Sequence, residues 1–318
     1  MRPGLAPSLA VIVCLCAILA HAFRQETLAD TFGVGFFLLL VASAFTMPPG
    51  WRPRSKTQTP DALRDQRLYD DFYLDHGNDL SFESLSKVDV FEALVTRFSV
   101  QLRGASLCDL GFGSGLILEK AREMGARISG VELSQTAVDR VRTLFPGADV
   151  RCNSADSTTF EDHSFDIVVS SNVLEHIENE LPALGEIRRL LSSNGVAIVG
   201  VPSRDSAPDP RHFRVYERDD LSTKMESAGL KPNSWLSIGS RLVHVMTPRL
   251  PFDVGGSSQV SRPKSRLVSI AKFCYYRCWV PALRKLYVAS ARSGDTGFVN
   301  EIWTLARPMR SDASDKPG

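Results

Sequence analysis

The chain predicts a doubly wound α/β fold on a mostly parallel sheet of seven strands, and three observations predict it. Short apolar runs alternate with segments of helical period from Leu85 onward, the pattern of right-handed βαβ crossovers. Leu107 to Leu110 leads through Gly111, Gly113 and Gly115 into Leu116–Met124, which reads as strand, tight turn and helix N-terminus. Phe165-Asp-Ile-Val-Val-Ser-Ser171 is nearly continuous in apolar character, as a parallel strand buried on both faces should be.

The elements follow in order. Residues 1–47 hold two uncharged apolar runs, Leu9–Ala20 and Phe32–Met47, separated by the polar stretch Arg24–Asp30. Each run, with its flanks, is about 16–19 residues, just enough to cross a hydrocarbon core of about 30 Å if the bilayer thins. Arg2 precedes the first run, and Arg52, Arg54 and Lys56 follow the second. By the positive-inside bias both ends lie in the cytoplasm, giving a helical hairpin with a short outer loop. Two other readings stay open. Ala20-His-Ala22 has the form of a signal-peptide cleavage site, which would leave the second run as an anchor with the body outside. Alternatively, both runs are an apolar helical cap on the body. Residues 48–63, with Pro48-Pro49-Gly50, form a linker.

The body spans 64–310. Arg64–Asp75 is polar with Tyr69, Phe72 and Tyr73 interspersed, a helix over a pocket mouth. Leu85, Val88, Phe91, Leu94, Val95 and Phe98 recur at three and four, a helix with one buried face. The glycine turn and its helix come next. Strands follow at Arg127–Glu132, Asp149–Asn153, Phe165–Ser171 and Val196–Val201, with Ser134 as N-cap of a helix carrying Ala137, Val138, Val141 and Leu144. Leu181–Leu191 is helical, Asn194-Gly195 a turn, and Gly229 the C′ residue of another helix. Trp235–Ser240 and Phe298–Leu305 are the last two strands. Residues 241–297 form an insertion between them, longer than an ordinary loop. Arg262 to Arg292 holds eight Lys/Arg, no acid and five interleaved aromatics, which suits a helical lid, a segment lying on anionic lipid or, as a third reading, single-stranded nucleic acid. Pro281 breaks any single long helix there. Residues 311–318 are a disordered tail.

Charge narrows the partners. The net +1 conceals an acidic body, 19 basic against 29 acidic side chains over residues 61–240, flanked by basic ends. Such a body repels phosphates, so nucleic acid is an unlikely partner. The six cysteines show no paired zinc-ligand spacing.

Several motifs in register now carry a resemblance. Asp109-Leu-Gly-Phe-Gly-Ser-Gly115, Glu132 at the end of the second strand, Asp156 after the third, Phe165–Ile177 containing Leu-Glu-His, Arg188–Gly195 and His212-Phe-Arg-Val-Tyr216 together resemble the class I S-adenosylmethionine-dependent methyltransferases. The small-molecule type of the ubiquinone and menaquinone pathways is the nearest in pattern. The resemblance covers about residues 65–240 and implies a Rossmann-like sheet with S-adenosyl-L-methionine as cofactor. It implies that Asp109 and the backbone near Asn172 hold the methionine end, that Glu132 takes the ribose hydroxyls, and that Asp156 takes the adenine amino group. Gly111, Phe112, Gly113, Gly115, Leu133 and Ala155 line the same site. The physical reading agrees: a carboxylate at a strand end about 20 residues past the glycines suits a ribose diol. The absence of lysine after Gly115 excludes a phosphate-cradling P-loop.

For chemistry, His212, His176 and Tyr216 are the candidate catalytic residues, with Glu175 beside His176. They fall in the loops after the fourth and fifth strands, at the carboxyl edge of the sheet where ligands bind. A general base is needed only for an acceptor that must lose a proton. The expected enzyme transfers a methyl to an O, N or C atom of a small acceptor, lipid or quinone-like compounds among them, from the cytoplasmic face of a membrane. Two alternatives stand. An NAD(P)-dependent oxidoreductase shares the strand-turn-helix unit, but its third glycine comes one residue later. A methyltransferase-like binding or scaffold module would have no turnover.

Overall fold

The computed structural model describes residues 69–70, 82–206, 209, 211–240, 243, 280–294 and 297–309. The two apolar runs, the linker, most of Arg64–Asp75, most of the 241–297 insertion and the tail lie outside the described residues. Among the described residues no helix is long and apolar enough to cross a membrane. Chain contacts divide the protein into two compact units, Met1–Ser55 with Arg249–Phe252 and Val260–Ala282, and the remainder, which holds the sheet.

The elements are α1 Phe82–Arg97, β1 Ser106–Leu110, α2 Leu116–Glu123, β2 Arg127–Glu132, α3 Gln135–Leu144, β3 Asp149–Cys152 and β4 Phe165–Ser171. A 3₁₀ turn at Leu174–His176 is followed by α4 Leu181–Leu190, β5 Leu191–Pro202, α5 Arg218–Ser227, β6 Leu230–Ile238, α6 Val280–Ala289 and β7 Glu301–Pro308. The seven strands form one sheet in the order β3-β2-β1-β4-β5-β7-β6. Neighbours among the first five are parallel, and β7 runs antiparallel to both β5 and β6. The reversal of strand order at β1 and β4 opens a crevice at their carboxyl ends, the usual ligand position in such sheets.

Burial on both faces follows from the strand period of two. Cys108, Leu110, Val168, Ala197, Val199 and Val201 join one core with Leu184, Ile187 and Leu190 of α4 and Leu221 and Met225 of α5. The alternate residues Leu107, Ile167, Val169 and Ile198 are equally buried, which is why these strands read as unbroken apolar runs. Trp303 of β7 is fully buried, and a Cβ on Gly200 of β5 would lie 2.6 Å from its indole. Gly200 is therefore what lets β7 seat its largest side chain across β5.

Two expectations shift. β5 begins at Leu191 rather than Val196: Phe165 pairs with Leu191, then Ile167 with Val196. The expected turn at Asn194-Gly195 survives as an excursion inside one strand, between two pairing registers. In the insertion, the described helix α6 carries Pro281 in its first turn, where a missing N–H costs nothing. Arg284 of α6 grips Asp89 of α1 through two hydrogen bonds of 2.6 and 2.5 Å, and the Tyr287 ring meets Phe82 edge-on at 5.7 Å. Arg292 donates to the Phe298 carbonyl at 2.5 Å. Arg284, Tyr287 and Arg292, counted above among lipid-facing candidates, are thus committed to packing within the domain. Residues 262–279 of that basic stretch lie outside the described residues.

Candidate functional site

The glycine loop folds as its spacing requires. Gly111, Gly113 and Gly115 have φ of 76°, 56° and 80°, left-handed values that only glycine adopts without strain. A Cβ on Gly111 would lie 2.5 Å from Val173 Cγ2, so this position also lets the loop after β4 close on the loop after β1. Gly115 is the N-cap residue of α2. Phe112 turns away: it is buried, and Gly130 of β2 leaves it room, since a Cβ there would sit 2.8 Å from the Phe112 ring. Its side chain is packed between the loop and β2.

Glu132 closes the loop. Its Oε2 accepts from the Gly113 N–H at 2.9 Å, and its Oε1 from those of Leu133 at 2.8 Å and Ser134 at 3.1 Å. Burial raises its pKa, against the lowering effect of these three bonds. A carboxylate has about four acceptor positions, so three are in use within the chain. Asp109, in β1, is 2% exposed, and its Oδ1 has no partner. Burial first, then the Glu132 charge, push its pKa up to about 8. Asn172 stands at the end of the adjacent strand β4 with φ of 54°, donating its N–H to the Gly200 carbonyl at 2.8 Å, and its buried Oδ1 is also unpartnered. Two orphaned buried acceptors at the carboxyl ends of neighbouring strands call for a donor from outside the chain. The ammonium of a methionine end is such a donor, so these residues fit S-adenosylmethionine. Ala155 and Asp156 are half-buried in a turn after β3, and the Asn153 N–H donates to the Glu132 carbonyl at 3.2 Å, holding that turn beside β2.

Sequence reasoning missed Asp70. Its Oδ1 accepts from Ser134 Oγ at 2.5 Å and from the Thr136 N–H at 3.0 Å, while Ser134 Oγ accepts from the Ala137 N–H as N-cap of α3. This ties the residue after Tyr69 to the helix that follows Glu132. The signal was the N-cap serine itself, a helix end with spare donors.

After β4 and β5 the structure brings together His176, His212 and Glu175. The two imidazoles lie 4.7 Å apart at 74°, and Tyr69 meets His176 edge-on at 6.3 Å. His176 Nδ1 is 3.4 Å from the Arg211 carbonyl. Burial, then the neighbouring His212 and Arg211, lower the His176 pKa to about 4; His212 is lowered, chiefly by burial. Glu175 is fully buried, and neither carboxylate oxygen has a partner from another residue; burial pushes its pKa up to about 8.

His212 to Tyr216 is extended, and its alternate residues divide the work. His212 joins the site. Arg214 donates to the Leu174 and Ile177 carbonyls at 3.2 and 2.6 Å, bonds the Glu178 carbonyl, and pairs with Glu180 at 3.0 Å, clamping the 3₁₀ turn that carries Glu175 and His176. Tyr216 is fully buried in the core beside α4 and α5, with its backbone tied to Pro202 and Ser203. That burial sets Tyr216 in the core, where the expectation was a catalytic role. Phe213 and Val215, between these three, are exposed at 43% and 49%. Asp209, also missed, holds Arg211 through bonds of 3.0 and 2.6 Å and lies 3.8 Å from His212 Nε2.

Comparison with known proteins agrees with this geometry. Residues 108–199 match a family model described as a methyltransferase domain. A probable S-adenosylmethionine-dependent methyltransferase of Mycolicibacterium smegmatis is 25% identical over 154 residues, 46% of this chain and 60% of that protein. A ubiquinone biosynthesis O-methyltransferase of Rhodopseudomonas palustris is 28% identical over 108 residues, 33% of this chain and 42% of that protein. The chain thus spans about half the length of the curated relatives it matches. Among solved structures, the 1,6-didemethyltoxoflavin-N1-methyltransferase of Burkholderia thailandensis, with bound S-adenosylhomocysteine, superposes with a TM-score of 0.51 at 14% identity, covering 81% of this chain and 94% of that one. This chain has the class I methyltransferase fold, and it carries over residues 108–199 a methyltransferase domain similar to the S-adenosylmethionine-dependent enzymes.

Proposed function

We propose that this protein is an S-adenosylmethionine-dependent methyltransferase acting on a small acceptor. The observation that carries the reading is the pair of unpartnered buried oxygens, Asp109 Oδ1 and Asn172 Oδ1, beside a glycine loop whose end is held by Glu132. S-adenosylmethionine supplies a methyl group already activated on a sulfonium. The chain's task is then to hold and align, which can account for much of the rate. Asp109 and Asn172 would receive the ammonium. Glu132 has one acceptor position left for a ribose hydroxyl, and a second opens if Gly113 releases it. Ala155 and Asp156 would border the adenine. Tyr69, His176 and His212 form the wall facing the acceptor, and His212 is the residue to accept a proton from an acceptor that must lose one. A dehydrogenase reading has no support in the loop, whose third glycine opens α2 one residue early.

The finer reading is that the acceptor is lipid or quinone-like and met at a membrane, with the two amino-terminal apolar runs as the anchor. It is supported by those runs and by Phe213 and Val215, exposed on the segment that carries His212. The test is calorimetric titration with S-adenosylhomocysteine, followed by labelled-methyl transfer to a membrane lipid extract and to a soluble metabolite pool. Binding no tighter than millimolar would overturn the enzyme reading; label only in the soluble pool would overturn the lipid acceptor alone. For His212→Ala we expect turnover to fall far more than cofactor affinity, and an equal loss of both removes it from the acceptor side.

A further inference from the structure

The methyl-transfer reading gives Glu175 no role, yet its carboxyl is fully buried with no hydrogen-bond partner on either oxygen, a costly arrangement that a bound cation would relieve. Among the described residues Lys87 lies near enough to favour the charged Glu175, but its ion pair is with Glu83 at 3.4 Å, and Arg214 spends its guanidinium on the Leu174 and Ile177 carbonyls and on Glu180. What Glu175 does face is imidazole. One ligand atom each from Glu175, His176 and His212 lies within 4.8 Å of the others. We propose that these three residues form a binding site for one divalent first-row transition ion, with zinc as the type.

The donor set selects the ion class. Two imidazoles and one carboxylate suit zinc and its transition-metal neighbours, whereas magnesium and calcium prefer oxygen donors. Ligand bonds of about 2.1 Å space tetrahedral donors about 3.4 Å apart, so small side-chain rotations close the present set around an ion. The surroundings are those of imidazole ligands. His176 directs Nδ1 at the Arg211 carbonyl, which leaves the lone pair on Nε2. Asp209 Oδ2 lies 3.8 Å from His212 Nε2, close to where a carboxylate orients a metal-bound histidine through its other nitrogen. Arg214 fixes the turn bearing two of the ligands, and the Phe213 N–H donates to the Glu175 carbonyl at 2.8 Å, locking that turn to the segment bearing the third. Three protein ligands leave a coordination position open for water or an acceptor hydroxyl, and the proton-accepting role proposed for His212 then belongs to the ion-free protein. The three ligands are not among the residues assigned to the cofactor, and the ion's binding does not depend on methyl transfer.

The test uses the untagged full chain, purified in detergent, stripped with chelator and titrated with Co(II) while the visible ligand-field bands are followed. One equivalent should bind with a dissociation constant of about micromolar or tighter and be displaced by Zn(II). His176→Gln and His212→Gln should each abolish the bands, Glu175→Gln should weaken binding at least about tenfold, and His163→Asn, outside the site, should change nothing. Circular dichroism and S-adenosylhomocysteine binding report whether each variant is folded. Should the variants fail to fold, X-ray absorption at the zinc edge of the wild-type chain counts its imidazoles: two support the assignment, and none or one overturns it. No Co(II) binding by the folded wild type up to about millimolar, or binding that survives both histidine substitutions, also overturns it.

Discussion

At Asp109 two effects oppose the carboxylate, burial in β1 and the charge of Glu132, and they raise its pKa to about 8. An ammonium placed against it reverses both, so binding expels the proton that Asp109 carries at neutral pH. The sign follows: affinity for S-adenosylhomocysteine should rise with pH, up to about tenfold per unit below 8, and level off above it. Glu132 is shifted in the same direction, so Asp109→Asn is needed to separate the two. That variant should bind about 10- to 150-fold more weakly, the worth of a charge-assisted hydrogen bond, with a flatter pH profile. Calorimetry from pH 6 to 9 in buffers of different ionisation enthalpy measures both. A dissociation constant independent of pH, with no proton released, would remove Asp109 from the cofactor site. Neither orphaned oxygen was legible in the sequence, because an unpaired acceptor is a property of what the neighbouring strands fail to offer. The residue types were legible, since an acid inside an apolar strand has few other uses.

Between elements, the loops after β1 and β4 meet where Gly111 faces Val173. Gly111→Ala should cost about 2–4 kcal/mol, combining left-handed strain with the clash. Adding Val173→Ala should return part of that stability by relieving the clash, while the φ strain persists. Denaturant melts of the four corners of this cycle give the coupling, and strict additivity would mean that the loops do not touch. A second junction joins α4 to the loop before β4. Burial raises the Glu186 pKa, but hydrogen bonds from Arg189 and Thr158 outweigh it and leave it below the ordinary 4.5. A carboxylate with a lowered folded pKa adds stability above about pH 4.5 and loses it as pH falls through the folded value. Glu186→Gln should therefore cost about 1–3 kcal/mol at neutral pH, a gap that narrows below pH 4.5; a gap constant from pH 3 to 7 would disprove the linkage. The parallel half of the sheet was readable from its apolar runs because those strands are buried on both faces. The antiparallel end was read short: β6 starts at Leu230, and Lys231, Pro232 and Asn233 break its alternation. Within His212–Tyr216 the apolar Phe213 and Val215, on the opposite face of the extended segment from Tyr216, are exposed while Tyr216 is buried, so the usual inference from apolar to inside fails there.

For the whole molecule the open matter is where the domain works, and here charge and apolarity point the same way. The acidic body, 19 basic against 29 acidic side chains over residues 61–240, would be repelled by an anionic membrane surface, yet both ends of the chain are basic. On the anchor proposed above, the hold on the bilayer would come from the apolar amino-terminal runs rather than from the charge of the body. The attachment should then resist salt, because insertion of apolar segments does not depend on screening, whereas a domain held by basic patches alone would be released as the Debye length falls from about 10 Å at 0.1 M to about 3 Å at 1 M. We expect the full chain to float with vesicles at both ionic strengths. In sealed vesicles with the cytoplasmic face outward, protease should digest the body and spare a fragment containing Arg24–Asp30. Release by salt would mean that the runs do not insert. A protected body would mean that the first run acts as a signal and the second as an anchor, and would put the site on the opposite side from the cytoplasmic supply of its cofactor.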